Sequence, residues 1–292
     1  MSKKSKIEWT DVTWNPVTGC TKASAGCQNC YAERMAKRLK AMDASGYADG
    51  FKPTMHPERL TEPMKWKKPK KIFVCSMGDL FHEDVTFDFI GEVFWRMAQE
   101  EQHTFQVLTK RPARMVAFFN WLRGKMDAGL VSLRSDEEWP LPNVWLGVTA
   151  ENQEMANERI PLLLECPAAP VRFVSCEPLL GPIDFTRAMF GENPRGMNCF
   201  GFTDGFGYEA FLQWVIVGGE SGQKARPMHP EWAWDIRDQC IAADVPLMFK
   251  QWGEWQALDP CMMSKTGKKK AGRALDGKTW DQFPDKGITD KK

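Results

Sequence analysis

Apolar residues in this chain fall into short continuous runs and into helical stripes, and the two kinds alternate. The continuous runs read as buried strands: 71–76, 104–109, 144–149, 171–175, 214–217 and 246–250. Between them, apolar positions recur three and four residues apart. Ala32, Met35, Ala36 and Leu39 mark a helix over Tyr31 to Met42, and Ile90, Val93, Phe94 and Met97 one over Phe87 to Gln99. Pro112 opens the next helix, with Met115, Phe118, Phe119 and Leu122 on its buried side. Asn152 is placed to cap a fourth towards Leu164, and Pro230 starts a fifth that reaches about Ala243. A short strand around Val12–Trp14 brings the strands to about seven. Alternating strands and helices predict βα units and a largely parallel sheet. The expected fold class is therefore α/β, a full or partial (β/α) barrel over residues 1–258, with an open doubly wound sheet as the alternative.

Three stretches break the rhythm. Residues 43–69 are irregular and rich in Gly and Pro. Residues 181–210 mix glycine and aromatics without a period and read as a long insertion, a candidate lid. Residues 259–292 form a basic extension in which Asp276-Gly277 signals a hairpin turn, expected to pack on the barrel. No internal repeat is visible.

Composition narrows the partners little. The 292 residues carry a formal charge of +1, so only local patches can attract an anionic partner. Two such patches stand out, Lys65-Trp66-Lys67-Lys68-Pro69-Lys70-Lys71 and Lys268-Lys269-Lys270 with Arg273. No apolar run has the length of a membrane span or follows the basic N-terminus as a signal core would, which points to a cytoplasmic protein without membrane contact. The nine cysteines are odd in number, and in a reducing compartment thiols more often serve metal or redox chemistry than a disulfide scaffold.

Cys20, Cys27 and Cys30 lie on a polar loop just after the first strand, spaced C-x6-C-x2-C, with no fourth cysteine close by. Four owners fit three clustered thiols: a buried structural role, a closed zinc site completed by Cys75 or a histidine, a dithiol at Cys27-x-x-Cys30, or an iron–sulfur cluster with one iron left open. Polar residues also follow the strands closely: Ser76 and Asp79, Thr109 with Lys110 and Arg111, Thr149 with Glu151 and Asn152, Glu177, Glu220 with Ser221, and Lys250 with Gln251. In a parallel barrel such residues gather at the C-terminal mouth, where active sites sit.

A three-cysteine loop after the first strand of a βα barrel resembles the radical S-adenosylmethionine superfamily, whose usual spacing is C-x3-C-x2-C. Over nearly its full length the chain also resembles a phage and prophage family of three-cysteine proteins. The segments that carry this likeness are 9–20, 26–32, 75–81, 108–112, 175–179, 218–222 and 250–253. The Cys-x-x-Cys-Tyr ending is similar to spore photoproduct lyase, a radical enzyme that repairs thymine lesions in DNA. The resemblance implies a [4Fe-4S] cluster on Cys20, Cys27 and Cys30, with S-adenosylmethionine chelated at the open iron and cleaved to an adenosyl radical after an external donor supplies an electron. It places Tyr31 beside the cluster and the Ser76–Asp79 loop at the methionine amino group. There Gly78 would permit close approach and Asp79 accept from the ammonium, with Thr109 at the next strand end. Glu151 or Glu177 would hold ribose hydroxyls, and Gly218 and Gly219 would pass close to the adenosine. Cys176, like Cys75, is a candidate hydrogen donor, and Glu177, Glu220 and Lys250 are candidate catalytic groups.

The expected function is thus a radical S-adenosylmethionine-type enzyme acting on a nucleic acid or nucleotide, with a second protein component an open question. Two other readings stay open. One is a zinc-stabilised nucleic-acid-binding or partner-docking protein. The other is a barrel enzyme without a radical step, using Glu177 or Glu220 as general base.

Overall fold

The structure is a computed structural model that describes residues 5, 7–129, 141–166, 169–186, 211–259 and 262–284. Most of the expected insertion, 187–210, lies outside the described residues. The strands are β1 (Val12–Trp14), β2 (Val17–Thr18), β3 (Thr54–Met55), β4 (Lys71–Val74), β5 (Thr104–Thr109), β6 (Val144–Thr149), β7 (Arg172–Cys176), β8 (Trp214–Gly218), β9 (Leu247–Gln251), β10 (Trp255–Asp259) and β11 (Met262–Lys265). The α-helices are α1 (Tyr31–Ala41), α2 (Phe87–Gln99), α3 (Pro112–Asp127), α4 (Gln153–Glu165), α5 (Pro230–Ala242) and the short α6 (Lys268–Ala271).

Seven strands form one sheet in the order β1-β4-β5-β6-β7-β8-β9. The pairings β1–β4, β4–β5, β7–β8 and β8–β9 are parallel. Each new strand joins on the same side, so the order never reverses as it does in a doubly wound sheet. The result is a mixed α/β fold with an open parallel sheet, compatible with a partial β/α barrel. The continuous apolar runs have the expected cause: every residue of β6, β7 and β8 is buried, as parallel strands covered on both faces must be.

Helix ends follow local chemistry. Thr86 caps α2 by accepting from the Phe89 N–H at 3.3 Å, and Asn152 caps α4 by accepting from Met155 at 3.0 Å. Pro112 and Pro230 stand in the first turns of α3 and α5, where a missing N–H forfeits no helical bond. The 43–69 stretch is not all coil. It supplies β3, which pairs antiparallel with β2, and two 3-10 turns. No alternating or helical pattern announced so short a ribbon.

By compactness the chain divides into two units. The first is Met1–Ala23, Cys30–Gly147 and Cys166–Pro170; the second is Ser24–Asn29, Val148–Glu165 and Val171–Lys292. The first has a core of Phe81, Phe94, Phe118 and Phe119, with ring centroids 5.1–6.4 Å apart. In the second, Phe173 and Trp214 meet with tilted rings at 5.6 Å and Trp214 meets Phe283 at 5.1 Å. There the C-terminal extension covers the open edge of β9, with Phe249 donating to the Trp280 carbonyl at 2.9 Å and Gln282 to Leu247 at 3.2 Å. Asp276 and Gly277 have φ of 53° and 75°, the pair of positive angles a tight hairpin turn requires. A second hairpin, β10–β11, begins at Trp255, ahead of the expected boundary at residue 258. Among the described residues no helix is long and apolar enough to cross a membrane.

Candidate functional site

In the first unit, the start of the cysteine loop is fastened to the loop after β4. Asn15 Oδ1 accepts from the Ser76 hydroxyl at 3.2 Å and the Met77 N–H at 2.9 Å, while the Gly19 N–H donates to the Met77 carbonyl at 2.8 Å. Gly78 allows that contact: a Cβ there would lie 2.8 Å from the Gly19 carbonyl oxygen. Gly78 thus admits a close approach of the chain's own backbone. Cys75 sits between strand and loop with φ of 60°, a left-handed conformation uncommon for a non-glycine residue. It is buried, and burial pushes its thiol far above the ordinary range.

Asp79 lies at the centre of this strand end, 5% exposed. Its Oδ1 accepts from the Thr109 hydroxyl at 2.7 Å and the Phe81 N–H at 3.0 Å, and its Oδ2 from the Lys110 N–H at 3.1 Å and Arg111 Nη1 at 3.4 Å. Asp79 and Thr109 thus meet, and their polar atoms hold β4 to β5 and orient Arg111. That guanidinium reaches in four directions. Nε donates to both carboxylate oxygens of Glu83 at 3.0 and 3.1 Å, Nη2 to the carbonyl and hydroxyl of Thr21 at 3.1 and 2.9 Å, and Nη1 to Cys20 Sγ at 3.3 Å as well as to Asp79. Burial opposes the Arg111 charge, but Cys20, Asp79 and Glu83 outweigh it and hold its pKa above the usual value.

His82 completes the cluster. The Asp84 N–H donates to its Nδ1 at 3.1 Å, so in the neutral ring the proton is on Nε2, which lies 2.9 Å from the Thr21 hydroxyl. Burial, aided by the Arg111 charge, keeps its pKa below the ordinary histidine value.

In the second unit the segment Ser24–Asn29, which carries Cys27, is held by two carboxylates. Glu151 is fully buried; it accepts from the Gly26 N–H at 3.1 Å and from Arg159 Nη1 at 3.1 Å. Gly26 must be small, since a Cβ would come within 3.0 Å of the Glu151 carboxyl. Glu220 accepts from Asn29 Nδ2 at 2.9 Å and from the backbone N–H, Nε and Nη2 of Arg226 at 2.8, 3.0 and 2.7 Å. Arg226 in turn donates to the Ala25 carbonyl at 3.0 Å and to Gln28 Oε1 at 3.2 Å. Burial would raise the Glu220 pKa, yet these donors from Arg226 and Asn29 bring it below the ordinary value.

Glu177 and Lys250 form a third group, with Nζ 2.7 and 3.0 Å from the two carboxylate oxygens and Gln251 Nε2 at 3.4 Å. Both stay partly exposed, at 20% and 15% of the side chain. Gly218 leaves space for Glu177, whose carboxyl carbon would be 3.2 Å from a Cβ there. At Gly219 a Cβ would fall 2.1 Å from the Trp252 carbonyl oxygen, so this glycine, too, admits the chain's own backbone. Cys176 is 0% exposed, and burial followed by the neighbouring Cys240 of α5 raises its thiol well above the ordinary range. It occupies a packing position against that helix.

Cys20, Cys27 and Cys30 are partly exposed and outside any disulfide, whereas Cys75, Cys166, Cys176 and Cys240 are buried. Cys30 stands at the N-cap of α1, and Tyr31 beside it is 59% exposed. Among the described residues no group of three or more His, Cys, Asp or Glu side chains is set to hold a metal ion. Sequence reasoning overlooked Arg159, Arg226, His82, Asn15 and Thr21. A buried strand-end carboxylate demands a cationic partner, which was a signal for the arginines; the others leave no pattern in one dimension.

The fold and these clusters define a mixed α/β protein with an open parallel sheet and a three-thiol segment tied to polar strand ends. A family profile described as "Protein of unknown function (DUF5131)" matches residues 4–284, and the chain belongs to that family. No curated protein and no solved structure gives a significant match.

Proposed function

We propose that this protein is a radical S-adenosylmethionine-type enzyme that holds a [4Fe-4S] cluster on Cys20, Cys27 and Cys30 and acts on a nucleic acid or nucleotide. The observation that carries the reading is the state of these three thiols. They alone among the described cysteines are partly exposed, and they sit on a segment whose backbone is tied by strand-end side chains. Cys20, Cys27 and Cys30 would be the thiolate ligands of such a cluster, and the support for that is the chemistry of the three donors, soft thiolates on one polar segment, which suit an iron–sulfur group.

When bound, the cluster and S-adenosylmethionine would supply one-electron reductive cleavage of the sulfonium and hydrogen abstraction from substrate. The chain's own residues prepare for this. Arg111, 3.3 Å from Cys20 Sγ, is the kind of cationic neighbour that steadies a thiolate. Glu151 and Arg226 hold the backbone just before Cys27, at Gly26 and Ala25, and Arg226 and Glu220 hold the Gln28 and Asn29 side chains just after it. Glu177 and Lys250 offer a partly exposed acceptor and donor for sugar hydroxyls or for proton transfer. Asp79, braced by the Thr109 hydroxyl, orients Arg111.

Anaerobic reconstitution with iron and sulfide, then reductant and S-adenosylmethionine, is expected to give cluster absorbance and 5′-deoxyadenosine, with both lost in Cys30→Ala. One zinc per chain with folding lost on chelation would replace this reading with the structural-zinc one. Activity that survives oxygen with all three cysteines substituted would replace it with general-base chemistry.

A further inference from the structure

A guanidinium has five N–H donors, and the structure gives each one of Arg111 an acceptor. Nε serves the Glu83 carboxylate at 3.0 and 3.1 Å, and Nη2 serves the carbonyl and hydroxyl of Thr21 at 3.1 and 2.9 Å. Nη1 is divided between Asp79 Oδ2 at 3.4 Å and Cys20 Sγ at 3.3 Å. The backbone is held as well, the Arg111 N–H donating to the Thr109 hydroxyl at 2.9 Å. A planar fork with every donor engaged is fixed in rotation. The direction of its bond to sulfur is therefore part of the design of the strand end.

Such a donor matters to a sulfur that binds iron. Hydrogen bonds to the sulfurs, net charge and solvent exposure set the potential of an iron–sulfur group. Reduction adds one negative charge, so a cation beside a ligand sulfur favours the reduced form, the more so where water is excluded. The Arg111 and Asp79 side chains are each 8% exposed, whereas that of Glu83 is 63% exposed. The buried pair offsets itself at a distance, but the guanidinium is the member that touches the sulfur.

Glu83 is the adjustable partner. Burial would raise its pKa, but its own backbone N–H and Arg111 bring it below the ordinary value, so the carboxylate is charged at neutral pH. It therefore has two effects on Cys20. It anchors the far end of the guanidinium, and its charge opposes the cation. Arg226 in the second unit spends its donors on Glu220, the Ala25 carbonyl and Gln28 Oε1, bonds that shape the chain.

We propose that Arg111, aimed by Glu83, sets the reduction potential of the iron–sulfur group that Cys20 would help to hold. The N–H···S bond raises the potential. Glu83 is a positioning residue that keeps the donor on the sulfur while its charge limits the rise. This inference rests on the cluster reading above and adds a means of tuning the site. A plain clamp at Arg111 would affect stability alone.

The test is an anaerobic dithionite titration of the reconstituted full chain, without S-adenosylmethionine, with the paramagnetic signal of the reduced cluster read against potential. It is run at pH 7.5, where His82, 3.6 Å from Glu83, is neutral. Glu83→Gln keeps an acceptor for Nε and loses the charge, and is expected to shift the reduction equilibrium about threefold towards the reduced form. Arg111→Gln is expected to shift it at least tenfold the other way, about 59 mV downwards for one electron. Circular dichroism and iron content show that each variant is folded and loaded. Glu83 lies at the surface, so its variant decides the question even where Arg111→Gln fails to fold. An unchanged potential in loaded Glu83→Gln overturns this inference and leaves the cluster reading standing, and so does a shift of both variants in one direction. A wild type that forms no cluster overturns both.

Discussion

The two units fasten their portions of the cysteine segment in opposite ways. In the first, one cation lies at the centre: Arg111 gathers Asp79, Glu83, Thr21 and Cys20 around a buried guanidinium and touches a sulfur directly. In the second, carboxylates lie at the centre: Glu151 reaches the segment through the Gly26 N–H, and Glu220 through Asn29 and, by way of Arg226, the Ala25 carbonyl. A guanidinium hub acts on the electronic state of what it touches, whereas a carboxylate hub acts on the path of the chain. Charge is thus the means of control in one unit and backbone shape in the other.

The sharpest way to break the comparison is Glu151→Ala. It would strand Arg159, 1% exposed, as a buried charge, and the expected loss is about 3–5 kcal/mol in denaturant unfolding. Glu151→Gln, which keeps an acceptor for Gly26, should lose clearly less. If the two variants unfold alike, Glu151 is not a hub. Next comes Gly219→Ala: with the Trp252 carbonyl 2.1 Å from the new Cβ, the backbone must shift, at a cost of about 1–3 kcal/mol or more. Arg111→Lys and Arg226→Lys then compare the two hubs directly. Arg111 is the more buried and loses a forked set of bonds, so about 2 kcal/mol is expected there and about half that at Arg226. Equal losses in the two variants would erase the contrast.

The mildest effect concerns acid. His56, His82 and His103 all belong to the first unit, and burial lowers the pKa of each below 6.5. They are neutral in the fold but take up protons in the unfolded chain below about pH 6.5, so the stability they contribute is present above that pH and lost as pH falls below it. Hydrogen exchange at pH 5.5 against pH 7.5 should therefore show the first unit opening more readily, with the second unit changing less. Glu220 works at lower pH. Its depressed pKa adds stability above about pH 4.5 that disappears on further acidification.

Much of the fold was legible because burial writes itself into one dimension. The wholly buried strands β6 to β8 read as unbroken apolar runs, and α2 showed its buried face at the right spacing. Caps and turns were legible for the same local reason: Asn152, Pro112, Pro230 and Asp276-Gly277 act on their immediate neighbours. The site was legible as an inventory of strand-end polar residues but not as a wiring plan. Glu151 meets Gly26 across 125 positions and Asn29 meets Glu220 across 191, and no local pattern encodes such separations. Nor did any pattern announce that a Cβ at Gly78 or Gly219 would meet a carbonyl oxygen of the chain itself, at 2.8 and 2.1 Å.

The order of the sheet has a consequence for synthesis. From β4 to β9 each strand lies beside the next one made, so the sheet can grow by accretion as the chain leaves the ribosome, with modest loop-closure entropy at each step. The β1 edge is different: it has to wait for β4, and the whole cysteine segment is enclosed in that wait. The three thiols are thus made before β4, and they are framed only after that later strand arrives. During that interval a nascent chain would present them to any metal carrier or oxidant it meets.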